Sequence, residues 1–174
     1  MKGRLKLDIE IVQLPIPKHL EEFFSPLGSL NTEKKVKGYL TCKCDKEHKF
    51  MVKNLEVDSE SQRIIISAVC LYCKKEILVF DSYKHGWDGF VCGSDKEAPN
   101  NFADLKPVYC KKCKATNHLM AISIFSQGKD DFIEETNGKF DVSLWVNAFE
   151  WIIIDLLCNE CGYKMNSWLD LETM

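Results

Sequence analysis

Eight of the nine cysteines form four closely spaced pairs, at Cys42/Cys44, Cys70/Cys73, Cys110/Cys113 and Cys158/Cys161. A short turn that carries such a pair, called a knuckle below, can present two thiolates to one metal ion. Four thiolates complete the tetrahedral shell that zinc prefers. The sequence therefore predicts two Zn²⁺ ions per chain, the first held by the pairs at 42/44 and 70/73 and the second by the pairs at 110/113 and 158/161. Iron accepts the same four thiolates and stays an alternative.

The two predicted sites differ in their local sequence. Gly162 follows Cys161, and a glycine there suits a turn that passes close to the metal with positive φ. The first site has no such glycine, because Lys74 follows Cys73 and the Cys42/Cys44 spacing is tighter. We therefore expect the second site to be the better formed of the two.

Paired cysteines can also serve redox chemistry. A thioredoxin-like Cys-x-x-Cys opens a helix after a strand, whereas the pairs of this chain lie between strand-like segments and come in fours. We therefore favour structural metal and keep a thiol oxidoreductase as an alternative. A shell closed by four thiolates leaves no position for a reacting water, so we expect no catalytic role for the metal and no enzyme.

The remaining cysteine and three histidines have ordinary interpretations. Cys92 is expected to be a small buried apolar residue. His48 and His118 each follow a first knuckle and could replace a cysteine as ligand, but four cysteines are already available for each ion. We expect them to lie beside the ligands. His85 belongs to the glycine-flanked stretch 85–90, which we interpret as a turn rather than a catalytic pocket.

Strand-like segments surround the knuckles in a repeated order. β-branched runs at 64–69 and 151–157 lead into Cys70 and Cys158, and further strands are predicted at 77–80, at 118–125 and after Cys161. Each half then reads knuckle, strand pair, knuckle, strand. The sequence predicts a mostly β fold with little α-helix, built from two tandem antiparallel units that arose by internal duplication.

This order resembles the zinc-ribbon class of proteins, in which two cysteine turns at one end of a small antiparallel sheet hold one zinc. The resemblance covers residues 38–82 and 106–170. Zinc ribbons serve transcription, translation and many protein assemblies, so the resemblance implies binding rather than catalysis without identifying the partner.

The predicted organisation has four parts. Residues 1–37 form a strand at 5–11 and a short helix at 18–24 that pack on the first ribbon, which spans 38–91. Residues 92–107 form a linker, and the second ribbon spans 108–174. Its acidic, aromatic insert at 126–150 contains Asn137-Gly138, which is typical of a hairpin turn. Residues 141–149 fit either a short helix or a strand.

The charge and hydropathy of the chain indicate which classes of partner to expect. The formal net charge is −3, and residues 108–174 carry ten acidic and six basic side chains. Nucleic acid is therefore disfavoured as a partner, and a protein is favoured. The aromatic side chains near the second site are expected to pack in the core first and to form a partner surface second: Trp145, Phe149, Trp151 and Trp168. No stretch reads as a signal peptide or a membrane span, so we expect a cytoplasmic protein with no membrane partner.

Overall fold

The computed structural model describes residues 12–44, 47–55, 63–93 and 105–174. As predicted, this part of the chain is mostly β. Its nine strands form one antiparallel sheet. The strands are β1 (Phe24–Pro26), β2 (Lys35–Leu40), β3 (Phe50–Asn54), β4 (Ile65–Cys70), β5 (Glu76–Asp81), β6 (Lys106–Pro107), β7 (Asn117–Phe125), β8 (Trp151–Cys158) and β9 (Lys164–Glu172).

The helical segments of the described chain are short. One α-helix, α1, spans Lys129–Thr136. Two 3₁₀ helices span Lys18–Phe23 and Val142–Asn147, and a π-helical segment spans Trp87–Gly93. In the described part of the chain, no helix is both long enough and apolar enough to cross a membrane.

The structure of the insert differs from one prediction and resolves another. Asn137 is left-handed, with a φ of 49°, but it ends α1 instead of joining two strands, so the predicted hairpin is wrong. Asparagine tolerates this conformation both in hairpin turns and at the ends of helices, and the dipeptide alone does not distinguish the two. The stretch left open at 141–149 contains the second 3₁₀ helix.

Some predicted features lie outside the described residues. They are the strand at 5–11 and most of the linker, from 94 to 104. The boundaries between the four parts predicted from the sequence stay predictions.

Two three-stranded meanders make up most of the sheet. The first contains β3, β4 and β5, and the second contains β7, β8 and β9. They join where β3 pairs with β7, so that four residues lie side by side across four strands, in the order Cys70, Phe50, His118, Cys158. Neighbouring strands are about 4.8 Å apart, which places the two cysteines of this row about 14 Å from each other.

The two meanders also exchange their leading strands. β2 precedes the first knuckle but pairs with β7, and β6 precedes the third knuckle but pairs with β3. The registers match with one constant offset, since adding 68 turns 38 into 106 and 54 into 122. The corresponding pairs are Gly38 with Ile122 and Lys106 with Asn54, then Tyr39 with Ala121 and Pro107 with Lys53. Neither meander is therefore complete without a strand from the other.

β2 was not predicted from the sequence, although its pattern was available. Val36 and Leu40 are fully buried and alternate with exposed Lys35 and Lys37. Such alternation indicates a strand with one buried face. The predicted strands at 118–125, 151–157 and after Cys161 are confirmed by β7, β8 and β9.

One face of the sheet forms the main apolar core. Phe50, Met120 and Ile154 are fully buried on it, and Leu20 from the first 3₁₀ helix covers it. A second, smaller cluster lies within the insert, where Phe132 and Trp145 pack with Trp87 from the π-helical segment. The insert therefore buries its own aromatic residues against the end of the first meander.

The buried ion pair between Arg63 and Asp81 provides a test of this arrangement at the β4–β5 end. The guanidinium donates to both carboxylate oxygens, at 3.0 and 2.6 Å, and both residues are less than a tenth exposed. Replacing Asp81 with Asn leaves a buried cation without its counter-charge, so we expect a loss of about 3 kcal/mol in the free energy of unfolding, measured by urea denaturation. The control is Asp131→Asn, whose exposed pair with Lys34 should contribute no more than about 0.5 kcal/mol. Equal losses in both variants would contradict the role given to the buried pair.

Candidate metal centres

The structure brings all eight paired cysteines together in two groups of four. One group contains Cys42, Cys44, Cys70 and Cys73, and the other contains Cys110, Cys113, Cys158 and Cys161. Within each group the four sulfur atoms lie within 4.8 Å of one another. These are the sets that the spacing predicted, and each could hold a metal ion.

The sulfur separations fit a metal better than they fit disulfides. The shortest is 3.1 Å between Cys42 and Cys44, well beyond the bond length of about 2.05 Å in a disulfide. Other separations are 3.5 to 3.7 Å, as in Cys42–Cys73 and Cys110–Cys161. Four ligands at about 2.3 Å from a tetrahedral zinc are about 3.8 Å apart, so a small adjustment of the side chains would complete the shell.

Strand ends hold the cysteines in place. Cys70 ends β4 and Cys158 ends β8, and both are buried on the core face. The second cysteines of these knuckles, Cys73 and Cys161, lie nearer the surface. Each site therefore has an inner side fixed by the sheet and an outer side formed by turns.

Three of the four knuckles share one hydrogen-bonded turn. In the knuckle of Cys70, the N–H of Lys74 donates to the carbonyl of Cys70, and the N–H of Cys70 donates to the carbonyl of Lys75. The knuckles of Cys110 and Cys158 repeat both bonds. The residue after the second cysteine has positive φ each time, at 64° for Lys74, 64° for Lys114 and 69° for Gly162. Glycine suits this turn, as expected for Gly162, but the turn also forms without it, since two lysines adopt the same conformation at a cost of roughly 1–2 kcal/mol each.

The Cys42–Cys44 knuckle is built differently. It interrupts what would otherwise be one long strand, because β2 and β3 pair with successive parts of the same edge of β7. The chain returns to the sheet through His48, whose φ is 53°. The tighter spacing thus belongs to a loop inserted between two strands of one edge.

Backbone N–H groups lower the pKa of some of the sulfur ligands. The pKa of the Cys110 thiol falls to about 6, because the N–H groups of Cys113 and Lys112 donate to its sulfur. The pKa of Cys73 falls to about 7, chiefly through a hydrogen bond with the Cys44 thiol, whose own pKa is raised by that contact. A metal that displaces the remaining protons would find part of each cluster already suited to the thiolate form.

Exposed lysines flank the knuckles of both groups. They are Lys43, Lys74 and Lys75 around the first and Lys111, Lys112 and Lys114 around the second. A divalent ion with four thiolates carries a net charge of −2, and the positive charge of these neighbouring lysines offsets it.

The histidines do not belong to either group. His118 is fully buried, and its Nδ1 lies 3.1 Å from the carbonyl of Thr116, to which it donates. Among the described residues its Nε2 finds no hydrogen-bond partner, and burial lowers the pKa of His118. The residue that lies opposite Cys70, as His118 lies opposite Cys158, is Phe50 and not His48. The two histidines therefore do not occupy equivalent places.

His85 is held in place by ring stacking and a hydrogen bond. The His85 ring stacks on His19 with centroids 3.7 Å apart, and its Nδ1 accepts from the N–H of Asp81. The pKa of His85 falls to about 2, mainly through burial and then through the neighbouring His19. His85 is therefore neutral at physiological pH.

The ninth cysteine and the tryptophans divide between core and surface. Cys92 is exposed, contrary to the expectation of a buried residue, and it lies in the π-helical segment Trp87–Gly93. Trp145 and Phe149 are buried as expected, and Trp168 packs against the main core. Trp151 is 37% exposed on the outer face of the sheet.

Comparison of the chain with protein-family models, with curated proteins and with solved structures finds no match. The case for function therefore depends on the residues and geometry described above.

The positive-φ position of the knuckles gives a test. A Cβ on Gly162 would meet no atom within 4 Å, so Gly162→Ala changes only the backbone preference. We expect it to lower the free energy of unfolding of the metal-loaded protein by about 1 kcal/mol. Lys114→Gly, at the matching position of another knuckle, should be neutral or slightly stabilising in the same urea titration. A stabilising Gly162→Ala would contradict the turn described here.

Proposed function

We propose that this protein is a non-enzymatic zinc-binding module of the zinc-ribbon type, which uses two structural Zn²⁺ ions to hold a surface for a protein partner. The observation that carries the zinc assignment is the pair of four-cysteine clusters, each with all four sulfurs within reach of one ion. Soft thiolates in a tetrahedral set suit zinc, and iron is the competing ion for the same ligands.

The structural role follows from the closed shell. Four thiolates leave no vacant position for a substrate or a water, so the ion contributes folding free energy in place of chemistry. The four knuckles connect β2 with β3, β4 with β5, β6 with β7, and β8 with β9, so each ion would cross-link neighbouring strands of the sheet. Such thiolates persist in a reducing compartment, which supports a cytoplasmic location.

The internal duplication belongs to the same proposal. It is supported by the offset of 68 residues between the β2–β7 and β6–β3 pairings. It is also supported by two equivalent backbone hydrogen bonds, one next to Cys70 and one next to Cys158. The N–H of Leu71 donates to the carbonyl of Lys49, and the N–H of Asn159 donates to the carbonyl of Asn117, again 68 residues further along for the acceptor. A duplicated ribbon explains why both halves present the same ligand pattern.

Two observations support a protein partner. The fold leaves an exposed tryptophan on the outer face of β8, and aromatic side chains of this kind are enriched in protein interfaces. Metal loading adds eight thiolates and two divalent ions, which takes the formal net charge from −3 to about −7 and disfavours polyanions overall.

A nucleic-acid-binding regulator is the second candidate, and one local feature favours it. The six exposed lysines of the knuckles have exposed aromatic neighbours in Tyr72 and Tyr109, at 75% and 56% exposure. Lysines interleaved with aromatic rings are typical of single-strand binding. We rank this candidate lower, because a thiolate-bound ion already accounts for nearby lysines.

Thiol counting separates the structural role from the thiol oxidoreductase. In the zinc-loaded protein we expect about one rapidly reactive thiol, the exposed Cys92, because metal-bound thiolates are shielded. A strong chelator should then release the other eight thiols and unfold the sheet, followed by circular dichroism. The Cys92→Ser variant is the matched control and should lose the rapid phase alone. Rapidly reactive pairs in the zinc-loaded protein would contradict the proposal and favour redox work.

A further inference from the structure

The outer face of the sheet carries a groove far from both cysteine clusters. It has a volume of about 410 Å³ and lies across the ends of β7, β8 and β9. Phe125, Trp151 and Ile153 form its apolar surface, and Glu150, Asp170 and Glu172 surround them. Pockets of this size can take one or two side chains of a partner.

The three carboxylates of the groove form no ion pair with a basic side chain of the described residues. Trp151 donates its indole N–H to Asp170 at 2.6 Å, which fixes the ring beside the acidic rim. The groove therefore combines a fixed aromatic surface with unneutralised negative charge.

A cation already uses one side of this surface. The Lys35 ammonium lies 5.0 Å from the centre of the Phe125 ring, and Phe125 is opposite Trp151 in the sheet. The aromatic surface is thus suited to cation–π contacts. On the side of Trp151, no lysine or arginine of the described chain forms an ion pair with the carboxylates.

The position of β9 suggests how a ligand would lie. Among the described strands, only β8 pairs with β9. Asp170 and Glu172 are two residues apart on β9 and lie opposite Ile153 and Trp151, so they share the face of the groove. A strand added to the other edge of β9 would place alternate side chains next to these two carboxylates.

We propose that this groove and the adjoining edge of β9 bind an extended basic segment of a partner protein, with lysine or arginine at alternate positions. The inference rests on the proposed role in protein interaction and names the surface and the chemistry of the partner. Recognition comes from the carboxylates opposite the basic side chains and from the indole of Trp151 beneath them.

The test uses the full-length zinc-loaded protein and two fluorescent peptides in an anisotropy titration. In the first peptide Lys alternates with Thr, and in the second the same residues are arranged with all lysines at one end. We expect tighter binding of the alternating peptide. The variant Asp170→Asn/Glu172→Gln should weaken it roughly fivefold, which corresponds to about 1 kcal/mol for the two exposed ion pairs together. Trp151→Thr should weaken it about tenfold.

The matched control is Glu134→Gln/Glu135→Gln, which removes the same charge from the exposed surface of α1 and should change binding less than about twofold. Both carboxylate variants are exposed and isosteric, so they keep the proposal testable even if Trp151→Thr fails to fold. Equal weakening by both double variants would overturn the location, because a general charge effect would then suffice.

A random-sequence oligonucleotide serves as the third ligand. If it binds in a salt-dependent manner and neither peptide does, both the groove and the protein-interaction role are overturned. If the alternating peptide binds but the Asp170/Glu172 variant binds it equally well, only the groove assignment fails. If no ligand binds at low salt, the inference of a basic partner segment is overturned, while the zinc sites are judged separately by thiol counting.

Discussion

The pairing of Phe50 with His118 is the contact on which the rest of the sheet depends. It joins the two meanders in the middle, and the same offset of 68 residues relates Phe50 to His118 and the β2–β7 pairing to the β6–β3 pairing. Because β2 pairs with β7 and β6 with β3, each meander needs a strand from the other half. Cys70 and Cys158, one from each cluster, are consequently fixed about 14 Å apart across one sheet, instead of belonging to two separate sheets.

This shared sheet explains why both clusters can form in a small protein. A chain of 174 residues divided into two independent ribbons would have two small cores. Here one apolar core covers both meanders and includes Cys70, and Cys158 is likewise buried. The outer cysteines lie on turns at the surface, where Cys44, Cys73 and Cys113 are exposed. The proposed metal ligation would stabilise these surface turns by linking them to the buried cysteines.

The sequence predicted the local features well and the long-range ones poorly. Cysteine spacing identified both four-residue clusters, and β-branched runs located β4 and β8, because these signals depend on neighbouring residues. The exchange of β2 and β6 could not be predicted, since pairing between distant strands leaves no local pattern beyond alternation. Asn137 and Lys74 show that local sequence can also mislead about turns. Their conformations depend on the element that each turn closes, and residue type alone did not reveal it.

The central claim is that the eight paired cysteines hold two structural zinc ions. Native mass spectrometry of the intact chain, purified without chelator and combined with elemental analysis, tests it most directly. We predict a mass that exceeds the apoprotein by two zinc ions, with the corresponding loss of protons from the thiols. A folded protein that carries no metal and has all nine thiols free would contradict the account.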